Sequence, residues 1–255
     1  MALVEMKSCS IRFGGLLAVA NCCVKLDAGE LVSVIGPNGA GKTTSFNMMT
    51  GVYKPTEGRV FFDGRDITGL PTYQIARLGI GRTFQNIRLF KEMTVLDNVR
   101  TSFCAHPGYG VPGSVLRTAR FSTSEATIEA ESMRLLELLK LDRFAHEVSK
   151  NLSYGDQRRL EIARALALKP KLLLLDEPTS GMNPTETHEV TQLVAFLRKE
   201  FDLTILLIEH DMSLVMAISD RVVVLDGGVT IAEGRPEDIQ RNPKVIEAYL
   251  GEPGE

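Results

Sequence analysis

Read from the N-terminus, the apolar positions first fall into strand-like runs. Residues 3–13 and 16–26 predict two strands joined by a hairpin-type connection at Gly14-Gly15. Asp27-Ala28-Gly29-Glu30 turns the chain into residues 31–35, an apolar β-branched run that predicts a third strand. Residues 45–50 read as helix, 51–58 as a loop containing Pro55, and 59–62 as a short strand closed by Asp63-Gly64. A short helix over 71–78 and a strand over 80–84, ending at Gln85, complete this stretch.

From Gln85 to about residue 165 the pattern becomes helical. Thr94-Val95-Leu96-Asp97 has capping-box spacing and predicts a helix start. Residues 105–123 carry Pro107, Gly108, Gly110, Pro112 and Gly113, which predicts a loop-rich insertion. Residues 125–140 place Ile128, Leu135, Leu136 and Leu139 on one helical side, and 153–168 read as helix again. Strands and helices then alternate: strand 171–175, helix 185–199, strand 204–208, helix 213–218, strands 221–225 and 229–232, and short helices 236–241 and 244–250. Apolar strands alternating with helices imply a mostly parallel sheet covered on both faces, so the expected fold class is α/β with an all-helical block inserted into it.

The residues with chemical potential sit at the ends of these elements. Gly36-Pro37-Asn38-Gly39-Ala40-Gly41-Lys42-Thr43-Thr44 follows the third strand and opens a helix, giving the full G-x-x-x-x-G-K-[ST] pattern. Glycines let backbone N–H groups turn inward, and a helix start adds unpaired donors and the positive end of its dipole, so the stretch is suited to phosphate. Lys42 can reach the β- and γ-phosphates, and the Thr43 hydroxyl can take a Mg²⁺ ligand position. The four-leucine run ending in Asp176-Glu177-Pro178 delivers two carboxylates at the carboxyl end of a buried strand. Asp176 suits Mg²⁺, and Glu177 suits polarising a water for in-line attack. Leu152-Ser153-Tyr154-Gly155-Asp156-Gln157 precedes a helix and is both a capping box and a phosphate-facing helix start.

The order of P-loop, Gln85, Leu152–Gln157, Leu172–Pro178 and then His210 after a strand resembles the nucleotide-binding subunits of ATP-binding-cassette transporters over essentially the whole chain. That resemblance implies a P-loop NTPase core with a mostly parallel sheet, an antiparallel β subdomain and an inserted all-helical signature subdomain. It implies one cassette domain, 1–255, with 1–85 and 166–255 as the nucleotide-binding core and 86–165 as the helical part. Two cassettes would dimerise head to tail, so that Ser153 and Gly155 contact the γ-phosphate of ATP bound to the other subunit. Gln85 would sense Mg²⁺ and the attacking water, His210 would contact the γ-phosphate, and Phe13 would stack on adenine. Tyr154 replaces the usual first glycine of the signature, Asp156 its glutamine, and Asn183 the usual aspartate after the Walker B loop.

Residues 81–86, Leu89-Phe90, Met93-Thr94-Val95, 152–166 and a tail running through Tyr249, Gly251 and Glu252 resemble the branched-chain amino-acid importer ATPases, specifically the larger of their two ATPase subunits. The implied partners are a paralogous cassette or a second copy, two polytopic permease subunits and, indirectly, a periplasmic amino-acid-binding protein. The implied place is the cytoplasmic face of the inner membrane. Relatives that move urea, short amides or lipopolysaccharide share most of these motifs, whereas a single signature, the lack of coiled-coil heptads and mild acidity all stand against a soluble non-transport cassette acting on ribosomes or DNA.

Composition adjusts this picture only slightly. The 255 residues are 44% hydrophobic and 24% charged, ordinary for a globular chain, and the net charge of -3 offers no broad electrostatic reason to bind nucleic acid. No run is long enough to span a bilayer, and the N-terminal residues lack a signal-peptide pattern, so a soluble, cytosolic chain is expected. Cys9, Cys22, Cys23 and Cys104 show no zinc spacing and are expected to be buried reduced thiols.

Overall fold

The computed structural model describes residues 2–104 and 108–250; Pro107 of the expected insertion and Gly251 and Glu252 of the tail lie outside them. The chain divides into two compact units, one built up to Arg82 and again from Lys171 onward, the other from Thr83–Pro170.

The first unit opens with β1 (Ala2–Phe13) and β2 (Leu16–Asp27), antiparallel and closed at Phe13 and Leu16. Their inward positions, Val4, Met6, Cys9 and Ile11 against Val19, Cys22, Val24 and Leu26, are buried, as expected for a sheet with one face on a core. All four cysteines are free thiols, but only Cys9 and Cys22 are buried. Strand alternation sends Cys23 to the exposed face of β2, and Cys104 at the end of a helix is also exposed, so two of the four depart from expectation. The chain continues through β3 (Leu31–Ile35) and α1 (Lys42–Met49), then β4 (Glu57–Phe62) and a two-residue β5 (Arg65–Asp66) that the sequence reading did not anticipate. The antiparallel sheet has the order β2-β1-β4-β5.

The short α2 (Thr72–Arg77) leads into β6 (Ile80–Arg82), which stops two residues earlier than expected. The strand ends there because the next backbone groups leave the sheet. Phe84 donates its N–H to Glu161 and accepts from Arg158, both within the second unit.

That unit contains α3 (Val95–Phe103), α4 (Val111–Val115), α5 (Ala119–Leu138) and α6 (Tyr154–Leu166). Thr94 caps α3 by accepting from Asp97 N at 3.0 Å, and Ser153 caps α6 by accepting from Asp156 N at 3.2 Å, as the box spacings predict. The expected loop over 105–123 is partly helical. Pro112 sits in the first turn of α4, where its missing N–H costs nothing, and Thr118 caps α5 six residues ahead of the expected start.

The first unit resumes with β7 (Leu172–Asp176), α7 (Pro184–Glu200), β8 (Thr204–Ile208), α8 (Met212–Ile218), β9 (Arg221–Asp226), β10 (Val229–Gly234), α9 (Pro236–Gln240) and α10 (Pro243–Leu250). The second sheet has the order β10-β9-β3-β8-β7-β6, parallel from β6 to β9 with an antiparallel β10 at its edge. Every residue of β3, β7 and β8 is buried, which explains their almost wholly apolar sequences. One face packs Val32, Val34, Leu172, Leu174, Leu206 and Ile208 against α1 and the antiparallel sheet. The other packs Ile35, Val222 and Val224 against Val215, Ile239 and Val245 of α8, α9 and α10. Parallel strands bring the ends Ile35, Arg82, Asp176 and Ile208 to one edge, where α/β sheets hold their ligands.

Candidate nucleotide site

The loop after β3 is shaped by close approach. A Cβ at Gly36 would lie 1.9 Å from Leu225 O, and one at Gly41 would lie 2.9 Å from Val19 Cγ2 and 3.0 Å from Ala18 O. Gly36, at φ 146°, and Gly41, at φ 91°, therefore have no alternative residue. Gly41 is also the N-cap of α1, where no side chain caps the helix and no acidic residue occupies its first turn. The amide donors of this helix start are left for an outside anion.

Asn38 and Gly39 are exposed at the tip of the loop, Pro37 and Thr44 are half-buried, and Ala40 is buried. Lys42 is buried, and its Nζ donates to Gly36 O at 2.7 Å and Pro37 O at 2.9 Å, so the lysine lies along the inside of its own loop. Burial pushes its pKa down, opposed by the negative charges of Glu177 and Asp176.

Both carboxylates stand at the end of β7, with β8 between it and β3, close enough to act on the Lys42 charge. Asp176 is 1% exposed and its Oδ2 accepts from Arg82 Nη2 at 2.9 Å. Arg82 also donates to Asn47 Oδ1 at 2.7 Å and Thr50 Oγ1 at 3.0 Å on α1, locking β6, β7 and α1 together. Glu177 takes φ 48°, turning the chain sharply off β7, and its N–H still bonds Ile208 O at 2.9 Å. Its Oε1 lies 2.6 Å from His210 Nε2. Glu209, buried beside them, accepts from Thr179 N at 3.0 Å, from Thr179 Oγ1 at 2.5 Å and from His210 N at 3.0 Å, which fixes the turn carrying the histidine.

A divalent cation fits the donor types present. Asp176 offers carboxylate oxygen, and Thr43 is exposed with a hydroxyl that makes no hydrogen bond among the described residues. Mg²⁺ prefers such oxygens and binds through substrate phosphates rather than a protein cage. Among the described residues no group of three His, Cys, Asp or Glu forms such a cage.

Phe13, the aromatic at the β1–β2 turn, is 44% exposed and stands edge-on to Tyr53 at 5.0 Å. Gln85, Ser153 and Gly155 belong to the second unit, whereas Phe13, the P-loop, Asp176, Glu177 and His210 belong to the first. Within the second unit, one arginine joins Gln85 to Tyr154, the residue after the Ser153 cap. Arg158, fully buried on α6, donates to Phe84 O at 2.5 Å, Gln85 O at 2.8 Å and Tyr154 Oη at 3.3 Å. Its partner Glu161 accepts at 2.8 Å from Arg158 and at 3.2 Å from both Phe84 N and Arg88 N. Burial raises the Glu161 pKa, opposed chiefly by the Arg158 charge. A Cβ at Gly155 would meet nothing within 4 Å, so the fold does not itself require a glycine there.

Asn183 departs from the usual aspartate but completes a capping box on α7, accepting from Thr185 N and Glu186 N at 3.0 Å. Arg82, Thr179 and Glu209 were not singled out from the sequence. For Glu209 a signal existed, since an acid directly before His210 at a strand end repeats the Asp176-Glu177 arrangement.

Comparison with known proteins identifies the family. The family model of ABC transporters matches residues 19–180, and that of the branched-chain amino acid ATP-binding cassette transporters matches 229–255. The chain belongs to the ABC transporter ATP-binding family. It is 48% identical over 250 residues to the high-affinity branched-chain amino acid transport ATP-binding protein BraF of Pseudomonas aeruginosa, covering 98% of each chain. Its identity to the corresponding LivG protein of Escherichia coli is 49% over 250 residues, again with 98% of each chain covered. Among solved structures, an ATP-binding cassette of an ABC transporter in its ADP conformation superposes with a TM-score of 0.84 at 34% identity, over 99% of this chain and 100% of that one. Among the described residues no helix is long and apolar enough to cross a membrane.

Proposed function

We propose that this protein is the ATP-hydrolysing subunit of a bacterial membrane importer for leucine, isoleucine and valine. The hydrolytic part rests on one juxtaposition: an uncapped helix start carrying Lys42, with the Glu177–His210 pair at the neighbouring strand ends. The cargo rests on relatives named for branched-chain amino acid transport that match nearly end to end.

In this reading Phe13 stacks on adenine, and the loop from Gly36 through Pro37, Asn38, Gly39, Ala40 and Gly41 to Lys42, Thr43 and Thr44 holds the phosphates. Thr43 and Asp176 would hold Mg²⁺ through their oxygens, and the ion would neutralise charge on the phosphates. Glu177 accepts a proton from water as the water oxygen attacks the γ-phosphorus, the bond to the bridging oxygen breaks, and ADP and phosphate leave. His210 orients the γ-phosphate and the Glu177 carboxylate together. Ser153 and Gly155 serve the nucleotide of a second cassette, a paralogue or a second copy.

The cassette pair works beneath two polytopic permease subunits at the cytoplasmic face of the inner membrane, with substrate delivered by a periplasmic binding protein. Affinity purification from the native membranes in mild detergent, followed by mass spectrometry, tests the assembly. Two polytopic proteins and a second, shorter cassette ATPase are expected; ribosomes, DNA or the chain alone would contradict it.

A further inference from the structure

The phosphate loop is held by a residue from the far end of the chain. Gly36 N–H donates to the Tyr249 hydroxyl at 2.8 Å, a contact between positions 213 apart in sequence. Gly36 is buried and sits where β3 leaves the sheet, so its amide needs a partner that no strand supplies. Its carbonyl accepts from Lys42 Nζ at 2.7 Å, and the Leu225 carbonyl occupies the space a Cβ would need. Three contacts therefore fix this one residue, and only the tyrosine comes from outside the loop and the sheet.

The helix that carries Tyr249 is firmly mounted. Val245, four residues earlier and on the same face of α10, is 6% exposed in the cluster that contains Ile35, the residue before Gly36. Tyr249 as a whole is 41% exposed, yet its hydroxyl end is turned inward, and burial raises its pKa against the opposing Gly36 hydrogen bond. The phenol thus stays protonated and keeps its oxygen lone pairs on the loop amide at physiological pH.

We propose that Tyr249 is a positioning residue of the nucleotide site, holding the first amide of the phosphate loop so that the amides after it are preset for phosphate. The proposal rests on the reading of residues 36–44 as a phosphate cradle. Without the hydroxyl the loop must be ordered when nucleotide binds, and that ordering weakens binding. The C-terminal helix is then a working part of the nucleotide site.

Tyr249→Phe in the full chain keeps the ring and removes only the hydrogen bond. Titration with a fluorescent ATP analogue and Mg²⁺, together with turnover at saturating ATP, reads its effect. The expected result is a Kd raised about 3–10-fold, the worth of one net hydrogen bond, with saturated turnover within about twofold of wild type. Nucleotide-free melting should fall only slightly, the cost of one unpaired amide, and amide exchange should quicken at residues 36–40 without quickening across the fold. Wild-type affinity in Tyr249→Phe, or a loss of affinity accompanied by quickened amide exchange throughout the chain rather than at residues 36–40, would overturn the proposal. Lys42→Ala separates the two readings: if it still binds nucleotide the cradle itself is wrong, whereas an unaltered Tyr249→Phe beside a non-binding Lys42→Ala defeats the tyrosine alone.

Discussion

Arg82 bonds Asp176 at 2.9 Å with the arginine side chain 7% and the aspartate side chain 2% exposed, so a nearly buried ion pair underlies the strand end that carries Asp176 and Glu177. The same guanidinium reaches Asn47 and Thr50 on the helix behind the phosphate loop. Arg82→Ala would strand the buried charge of Asp176 and remove both helix bonds. It should lower stability by about 3–5 kcal/mol in nucleotide-free denaturant unfolding, the usual cost of removing one partner of a buried pair. A loss below about 1 kcal/mol would mean that the pair is not structural.

Glu177 Oε1 lies 2.6 Å from His210 Nε2, the contact on which the proposed base and phosphate-orienting roles rest. Glu177→Gln keeps the shape of the side chain but cannot accept the proton. ATP affinity should stay within about threefold while turnover falls at least ~100-fold. Hydrolysis at the wild-type rate would remove Glu177 from the base role.

Gly155 has open space where a Cβ would go and lies in the first turn of α6. An acid there is compatible with the helix dipole, so Gly155→Asp should melt at or slightly above the wild-type temperature. The added carboxylate would repel the phosphate that this surface serves, and turnover should drop at least ~100-fold with nucleotide still bound at the chain's own P-loop. A melting point depressed by several degrees would instead make Gly155 a folding residue.

Asp211, directly after His210, caps α8 by accepting from the Ser213 hydroxyl and from Ser213 N and Leu214 N. These bonds, the Ser213 hydroxyl foremost, hold its pKa below the ordinary 3.8. Because the folded value is the lower one, the carboxylate stabilises the fold above about pH 4. That contribution is lost as pH falls through the depressed folded value. Asp211→Ala should cost about 0.5–2 kcal/mol at pH 7, and the gap to wild type should close on acidification. A gap that persists undiminished at pH 2 would rule out the charged cap.

The strands β3, β7 and β8 were legible because burial on both faces leaves them almost wholly apolar. Residues 204–208 match β8 to the residue. The starts of α3 and α6 were legible from Thr94 and Ser153, whose hydroxyls have a local job three residues downstream. The start of α5 was not, because Pro107, Gly108, Gly110, Pro112 and Gly113 outweigh the single cap at Thr118 in any local reading. At the site, the loop, Asp176 and Glu177 were visible as contiguous motifs. Tyr249 on Gly36 was not, since it depends on a helix 213 residues away arriving beside the loop and leaves no periodic trace. Arg82 was hidden likewise: one arginine on a strand shows its partner only when β6 lies beside β7.

ATP-driven uptake of radiolabelled leucine into proteoliposomes, using the complex purified from native membranes with this subunit in place, tests the proposed importer most directly. The expected result is accumulation that requires ATP and the binding protein, competes with isoleucine and valine, and disappears when Glu177 is replaced by glutamine. Leucine uptake that persists unchanged with Glu177→Gln, or a purified complex that hydrolyses ATP without moving any branched-chain amino acid, would contradict it.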